Sequence, residues 1–286
     1  MSSIAVVTDS DAGLPPELVE RYAIRVVPIN IQFDQETLRS GVDIDDAALF
    51  ARVDREGKLP STSAPSPGAF KDAFDAAFAG GAEALVCVCV SSEISATYQS
   101  ALTARDLMPE RQVAVLDSRT VSMGQGFMAL AAAEQASRGA ALPQVVAMAE
   151  SVGARTFVYG ALATLKYLAM SGRVGHVAAG FGNLMNVKPI VTLKEGKLEM
   201  LERVRSRQRS LARLTELVQE CVDGGELEQL AVVHAVAPDE AVAFQRALCS
   251  TVACPDTVVF TEFTPGLSVH TGAGLIAVAG VKRLGQ

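Results

Sequence analysis

From Ala84 to Val90 the chain reads Ala-Leu-Val-Cys-Val-Cys-Val, and at Ser91 it turns abruptly to hydroxyls. An unbroken apolar run of this length fits a strand covered on both faces. Such strands belong to parallel sheets with helices above and below. The flanking pattern agrees. Ile4–Thr8 is another short apolar run, ending in Asp-Ser, and Arg25–Ile31 and Gln112–Leu116 read as further strands. Helical stretches separate them: a start at Leu14-Pro-Pro-Glu17, with proline tolerated in the first turn, then Asp45–Glu56, Thr97–Leu107, Gly126–Ser137 and Leu142–Ser151. Ser66 is placed to cap a helix in which Phe70, Phe74 and Phe78 fall four apart on one face. This alternation predicts a parallel α/β domain over residues 1–155.

The second half changes character. Phe157–Ala161 reads as a strand and Leu162–Met170 as a helix stopped by Ser171-Gly172. Ile190–Leu193 and Lys197–Val204, joined through Lys194-Glu-Gly196, read as a β-hairpin. A helix from Arg207 to Cys221, a strand at Gln229–Val233, a helix at Asp239–Cys249 and strands at Thr257–Thr261 and Leu275–Val281 complete it. A mixed-sheet α/β domain with a hairpin is expected over residues 156–286, although no linker-like composition marks the junction. In open α/β sheets ligands bind outside the carboxyl ends of strands, and Thr8-Asp9-Ser10 and Val90-Ser91-Ser92 are such ends.

Composition narrows the function classes. Net charge is −7 over 286 residues, which excludes broad nucleic-acid binding because neutralising phosphates takes a basic face. The amino terminus reads as a first strand and not as a signal peptide, and no apolar run approaches the ~20 residues of a membrane span. A cytoplasmic protein, with at most transient membrane contact, is expected. The five cysteines show no zinc-type spacing and are expected as buried or inert thiols, with Cys87 and Cys89 on one face of a strand. No metal or cofactor is implied. Gly124-Gln-Gly126 imitates part of a dinucleotide fingerprint but lies too far past its strand. No phosphate-binding Gly-x-x-x-x-Gly-Lys loop occurs.

Three distant segments carry the chemistry: Pro60-Ser-Thr-Ser-Ala-Pro-Ser66, Ser91-Ser-Glu-Ile-Ser-Ala-Thr-Tyr98 and Pro265-Gly-Leu-Ser-Val-His-Thr-Gly-Ala-Gly274. Hydroxyls, one imidazole and backbone N–H groups from such segments suit a small anionic group. Thr62, Ser92, Ser95, His270 and Thr271 are the candidate contacts, each with a bland role beside it: a turn hydroxyl, a helix cap, a structural histidine. His270 is expected in a glycine-rich loop. A serine-dependent hydrolase using Ser95, His270 and either Asp9 or Asp117 is the alternative, though no Gly-x-Ser-x-Gly elbow surrounds a serine. Arg203, Arg205, Arg207 and Arg209 form a basic cluster on an acidic chain, fit for docking an acidic partner or for a solvated hairpin end.

These segments, with Val6-Val-Thr-Asp-Ser10, Ser171-Gly-Arg-Val174, Asn186-Val-Lys-Pro-Ile190 and Glu202-Arg-Val-Arg205, resemble the DegV family of bacterial fatty-acid-binding proteins. The seven motifs span nearly the whole chain in the family's order. Departures are Ile94 and Ala96 where the family has Leu and Gly, Val269 where it has Thr, and Ala273 where it has Pro. The resemblance implies a long-chain fatty acid held between the two domains, without catalysis of the chain's own. It implies carboxylate contacts from Thr62, Ser95 and His270, with Ser92 and Thr271 nearby. It also places Arg173 at the head-group rim or partner face. Family members resemble the lipid-presenting subunit of fatty acid kinase, so a separate kinase subunit is the implied partner.

Overall fold

The computed structural model of the chain describes residues 3–173 and 187–284. Val174 and Asn186, drawn on above, lie outside the described residues.

The first large sheet has the order β2 (Arg25–Val27), β1 (Ile4–Asp9), β6 (Ala84–Cys89), β7 (Gln112–Asp117), with every pair parallel. All six residues of β6 are buried, because its side chains alternate between two helical layers. Leu85, Cys87 and Cys89 meet Phe70, Phe74 and Phe78 of α3 (Pro67–Ala79) and Ala101 and Ala104 of α4 (Thr97–Asp106). Ala84, Val86 and Val88 face α5 (Met123–Ser137) and α6 (Leu142–Arg155) instead. Ser66 does cap α3, accepting from Ala69 N at 3.1 Å.

The second large sheet has the order β10 (Lys197–Val204), β9 (Lys188–Lys194), β8 (Thr156–Ala161), β13 (Ile276–Lys282), β11 (Leu227–His234), β12 (Val259–Glu262). Its neighbours are antiparallel except β11 and β12, which run parallel. One face, with Leu230, Val232, Ile276 and Val278, packs on α8 (Arg207–Val222) and α9 (Pro238–Cys249). The other, with Ala231, Val233, Ala277 and Ala279, packs on the same α5 and α6 that cover the first sheet. The layers therefore run helix, sheet, helix, sheet, helix, and one continuous core joins both sheets. Small residues on α5 permit this. A Cβ on Gly126 would lie 2.8 Å from the Ala12 carbonyl oxygen. Gly124 and Gly126 lie in the first turn of α5, well past the end of β7 and packed against Thr120, Val158 and Ala12, so the dinucleotide reading falls.

Several expectations need correction. Arg25–Ile31 is not one strand. Pro28, which has no N–H to donate, separates β2 from β3 (Asn30–Phe33). β3 belongs to a small antiparallel sheet with β4 (Glu36–Arg39) and β5 (Ser61–Ser63), covered by α2 (Asp46–Glu56) over a core of Ile31, Phe33, Leu49 and Phe50. The helix α7 is confined to Lys166–Met170. Pro265–Thr271 forms α10, where a loop was expected. Cys249 and Cys254 are not free thiols. The chain after α9 folds back through bonds to the Leu248 carbonyl, bringing the two Cα atoms to 5.4 Å, and a disulfide joins them. Cys87 and Cys89 are free and buried, as expected.

Candidate functional site

A buried polar network fixes the strand ends that open the site. Gln125 Nε2 donates to Thr8 Oγ1 at 2.9 Å and to Asp9 Oδ2 at 3.0 Å, while Val90 N donates to Asp9 Oδ2 at 2.8 Å. This ties the end of β1 to the end of β6. Burial pushes the Asp9 carboxyl up to about 6, against the pull of these donors. Past β6, Ser91 Oγ donates to the Gly196 carbonyl at 2.7 Å, holding the β9–β10 hairpin tip over the loop. Ser92 donates both its N–H (3.1 Å) and its hydroxyl (2.5 Å) to Asp117. Its donor capacity is therefore spent on shaping the loop. Ser95 Oγ lies 2.8 Å from Thr97 Oγ1 and accepts from Thr97 N at 3.3 Å. Ala96 has φ −77°, so the loop places no demand for glycine there.

Thr62 lies on β5, paired with Ile31, and not in a turn. Its Oγ1 is 2.9 Å from His270 Nε2, although 208 residues separate them. His270 occupies the last turn of α10, whose first turn receives Thr264 as the preceding residue and Pro265 at its start. Three contacts seat this helix, the first two buried and the third partly so: Gly266 N to Ser40 Oγ (3.0 Å), Ser268 Oγ to Asp46 Oδ2 (2.6 Å), and Thr264 Oγ1 to Asp11 Oδ1 (3.2 Å). After it, Gly272 adopts φ +79°, and a Cβ there would enter the Tyr167 ring. Burial pushes the His270 imidazole down to about 4, and the Arg173 charge acts in the same direction. Its Nδ1 is buried with no hydrogen-bond partner among the described residues.

Thr62, Ser92, Ser95, His270, Thr271 and Arg173 all line one cavity of about 570 Å³. That is within the ~300–1,000 Å³ usual for ligand sites. Its remaining walls are largely apolar, with Ile29, Val90, Val121, Leu193, Leu198 and Leu267 among them. Leu193 and Leu198 face each other across the hairpin. Asp11, which the sequence reading passed over, also lines it. An acid just beyond the carboxyl end of a strand was the signal available for it.

The basic cluster divides. Arg207 is engaged inside the fold: it pairs with Glu240 (2.6 Å), and donates to the Ala161 carbonyl (3.0 Å) and the Gly274 carbonyl (2.6 Å). It braces the chain after α10 and is not available for docking. Arg203, Arg205 and Arg209 are exposed along a separate groove. Arg213, in the same groove, is tied to Glu202, Glu216 and Glu220.

The hydrolase arrangement is not formed. The Ser95 hydroxyl meets Thr97 and the imidazole meets Thr62. Asp9 and Asp117 are committed to Val90, Gln125 and Ser92, and among the described residues no carboxylate orients the imidazole. Among the described residues, no group of three His, Cys, Asp or Glu could hold a metal, and no helix is long and apolar enough to cross a membrane.

Comparison with known proteins gives a consistent result. Residues 3–283 match the family described as "Uncharacterised protein, DegV family". A DegV domain-containing protein of Streptomyces coelicolor is 34% identical, covering 96% of this chain and 97% of that protein. The fatty-acid-binding DegV family protein from Thermus thermophilus superposes with a TM-score of 0.91 at 29% identity, over 98% of this chain and 100% of that one. DegV of Bacillus subtilis, described as a fatty acid binding protein, does so with a TM-score of 0.87 at 28% identity, over 99% and 100%. With this match along nearly its whole length, and with the same mixed α/β architecture, the chain belongs to the DegV family.

Proposed function

We propose that this chain binds one long-chain fatty acid and presents its carboxylate to a separate kinase subunit for conversion to an acyl phosphate. The observation that carries the reading is the Thr62–His270 pair lining an otherwise largely apolar cavity. In this reading Thr62, Ser95 and His270 take the carboxylate, with Thr271 beside them, and Ser92 acts by holding the loop against Asp117. Ile29, Val90, Leu193, Leu198 and Leu267 receive the tail. Each buried methylene contributes roughly 0.8 kcal/mol, whereas a hydroxyl hydrogen bond contributes about 1 kcal/mol net. The tail therefore supplies affinity and the polar groups fix orientation. The two solved relatives described as fatty-acid-binding support the ligand class.

The kinase step rests on chemistry the sequence lacks: it carries no phosphate-binding loop for ATP. Arg173 at the cavity, and exposed Arg203 and Arg205 on their groove, fit an acidic partner surface. A cytoplasmic location and the absence of catalysis belong to the same reading.

Extraction and mass analysis of the purified chain, followed by titration with palmitate, tests it. One equivalent of co-purified or added fatty acid is expected. Absence of both ends the proposal.

A further inference from the structure

We propose that the cavity is built for an acyl chain that carries a hydroxyl a few carbons from its carboxylate, and that Asp11 is the residue that reads it. This rests on the fatty-acid reading above. Asp9 and Asp11 stand two residues apart and are both buried, yet they are served very differently. Asp9 accepts from Asp11 N, Val90 N and Gln125 Nε2, and is not among the residues lining the acyl cavity. Asp11 lines that cavity, in company with Ile29, Val90, Val121 and Leu267. Among the described residues its carboxyl receives one hydrogen bond, from Thr264 to Oδ1. Burial and the neighbouring Asp9 charge hold it well above the usual carboxylate range, and in its protonated form such a group offers both a donor and an acceptor.

Methylenes passing such a group leave it facing hydrocarbon, and an under-satisfied buried polar group is costly. A carboxyl kept only to brace α10 through Thr264 has no need to border the tail's path. A ligand hydroxyl answers both halves of the deficit: it accepts from the acid O–H or donates to its carbonyl. The placement fits a substituent near the head group. Asp11 abuts Gly266, where an added Cβ would lie 2.6 Å from Oδ1. Gly266 precedes His270 by one turn of α10, about 6 Å along the axis. Sites built to bond a substrate hydroxyl discriminate against the analogue that lacks it.

The test titrates the full, delipidated chain with palmitate, β-hydroxypalmitate and δ-hydroxypalmitate. At least one hydroxy acid is expected to bind about tenfold tighter than palmitate, one good hydrogen bond's worth. Asp11→Leu should bind palmitate at least as well as the parent and lose the hydroxyl advantage, while Asp11→Asn should keep it. Hydroxy acids that bind no tighter than palmitate to the parent overturn the inference and leave the fatty-acid reading standing. So does a preference that survives in Asp11→Leu. Failure of all three acids to bind would overturn the fatty-acid reading itself. The parent comparison needs no variant, so a poorly folding Asp11→Leu leaves the test intact.

Discussion

On the side of α10 that packs against α2, Ser268 donates to Asp46. On the cavity side, two residues later and roughly 200° around the helix, His270 meets Thr62. Burial acts on both ionisable groups and drives them in opposite directions, the Asp46 carboxyl up to about 7 and the imidazole down to about 4. Glu262 and Asp45 reinforce the first, and Arg173 the second. In both cases burial favours the uncharged form. Near neutral pH the histidine is uncharged and the acid is close to half protonated. The difference is what each faces. Asp46 meets a hydroxyl of its own chain and serves as an anchor. His270 borders the cavity and, in the reading proposed above, receives the ligand. On that reading an incoming carboxylate meets an uncharged imidazole, and among the described residues Arg173 is the cation that lines the cavity.

This contrast has measurable signs. Between about pH 4 and pH 7 native Asp46 binds more protons than its unfolded counterpart, so its contribution to stability falls as pH rises, by about 4 kcal/mol in all. Native His270 binds fewer protons than unfolded histidine between about pH 4 and pH 6.5. Its contribution falls as pH drops through that window, by about 3 kcal/mol. Urea unfolding across this range should show Asp46→Asn losing the slope that favours acid. It should show His270→Gln losing the opposite one. Parallel profiles for the two variants would break the comparison.

A smaller effect is expected at the receptor itself. Thr62→Val removes the hydroxyl facing His270 and should weaken palmitate binding about tenfold in calorimetry, with little change in stability. An unchanged affinity would mean that the carboxylate rests elsewhere in the cavity. Ser95→Ala should cost less, about threefold, because Thr97 already occupies one side of that hydroxyl. Arg205→Glu should change lipid affinity least, less than about twofold, since it lies on the separate groove. It should still reduce acyl phosphate formation with a kinase partner, most visibly at low salt. Equal loss of binding and of coupled turnover would place Arg205 in the lipid site instead.

Much of this was legible in the chain. The run Ala84–Val90 announced a doubly covered strand, and Phe70, Phe74 and Phe78 announced the helix against it. The three hydroxyl-bearing segments named residues that do line one cavity. What escaped had physical reasons. A loop is expected at α10 because Gly266 within it and Gly272 and Gly274 after it mask a Thr264–Pro265 helix start. The small sheet was missed because its strands are only three or four residues long and Pro28 blurs where one begins. Arg207 looked like surface charge because its partner Glu240 lies 33 residues away, beyond any local pattern. The Cys249–Cys254 pairing depended on how the chain folds back after α9, which spacing does not reveal.

The contact between Thr62 and His270 has a consequence for when the pocket comes into being. Contacts of such sequence separation form late, after the entropy of closing a long loop has been met. During synthesis, no nascent chain that stops short of α10 contains the His270 imidazole, the Ser268 partner of the Asp46 anchor, or the Gly266, Leu267 and Thr271 that line the cavity. On the proposed reading, ligand capture therefore waits until α10 has been made. Whatever occupies the cavity then clasps the first and last thirds of the chain together. At a thousandfold excess over its dissociation constant, it adds about 4 kcal/mol to the unfolding free energy. An occupied protein should resist proteolysis as a unit, whereas an empty one should open first where α10 leaves the small sheet.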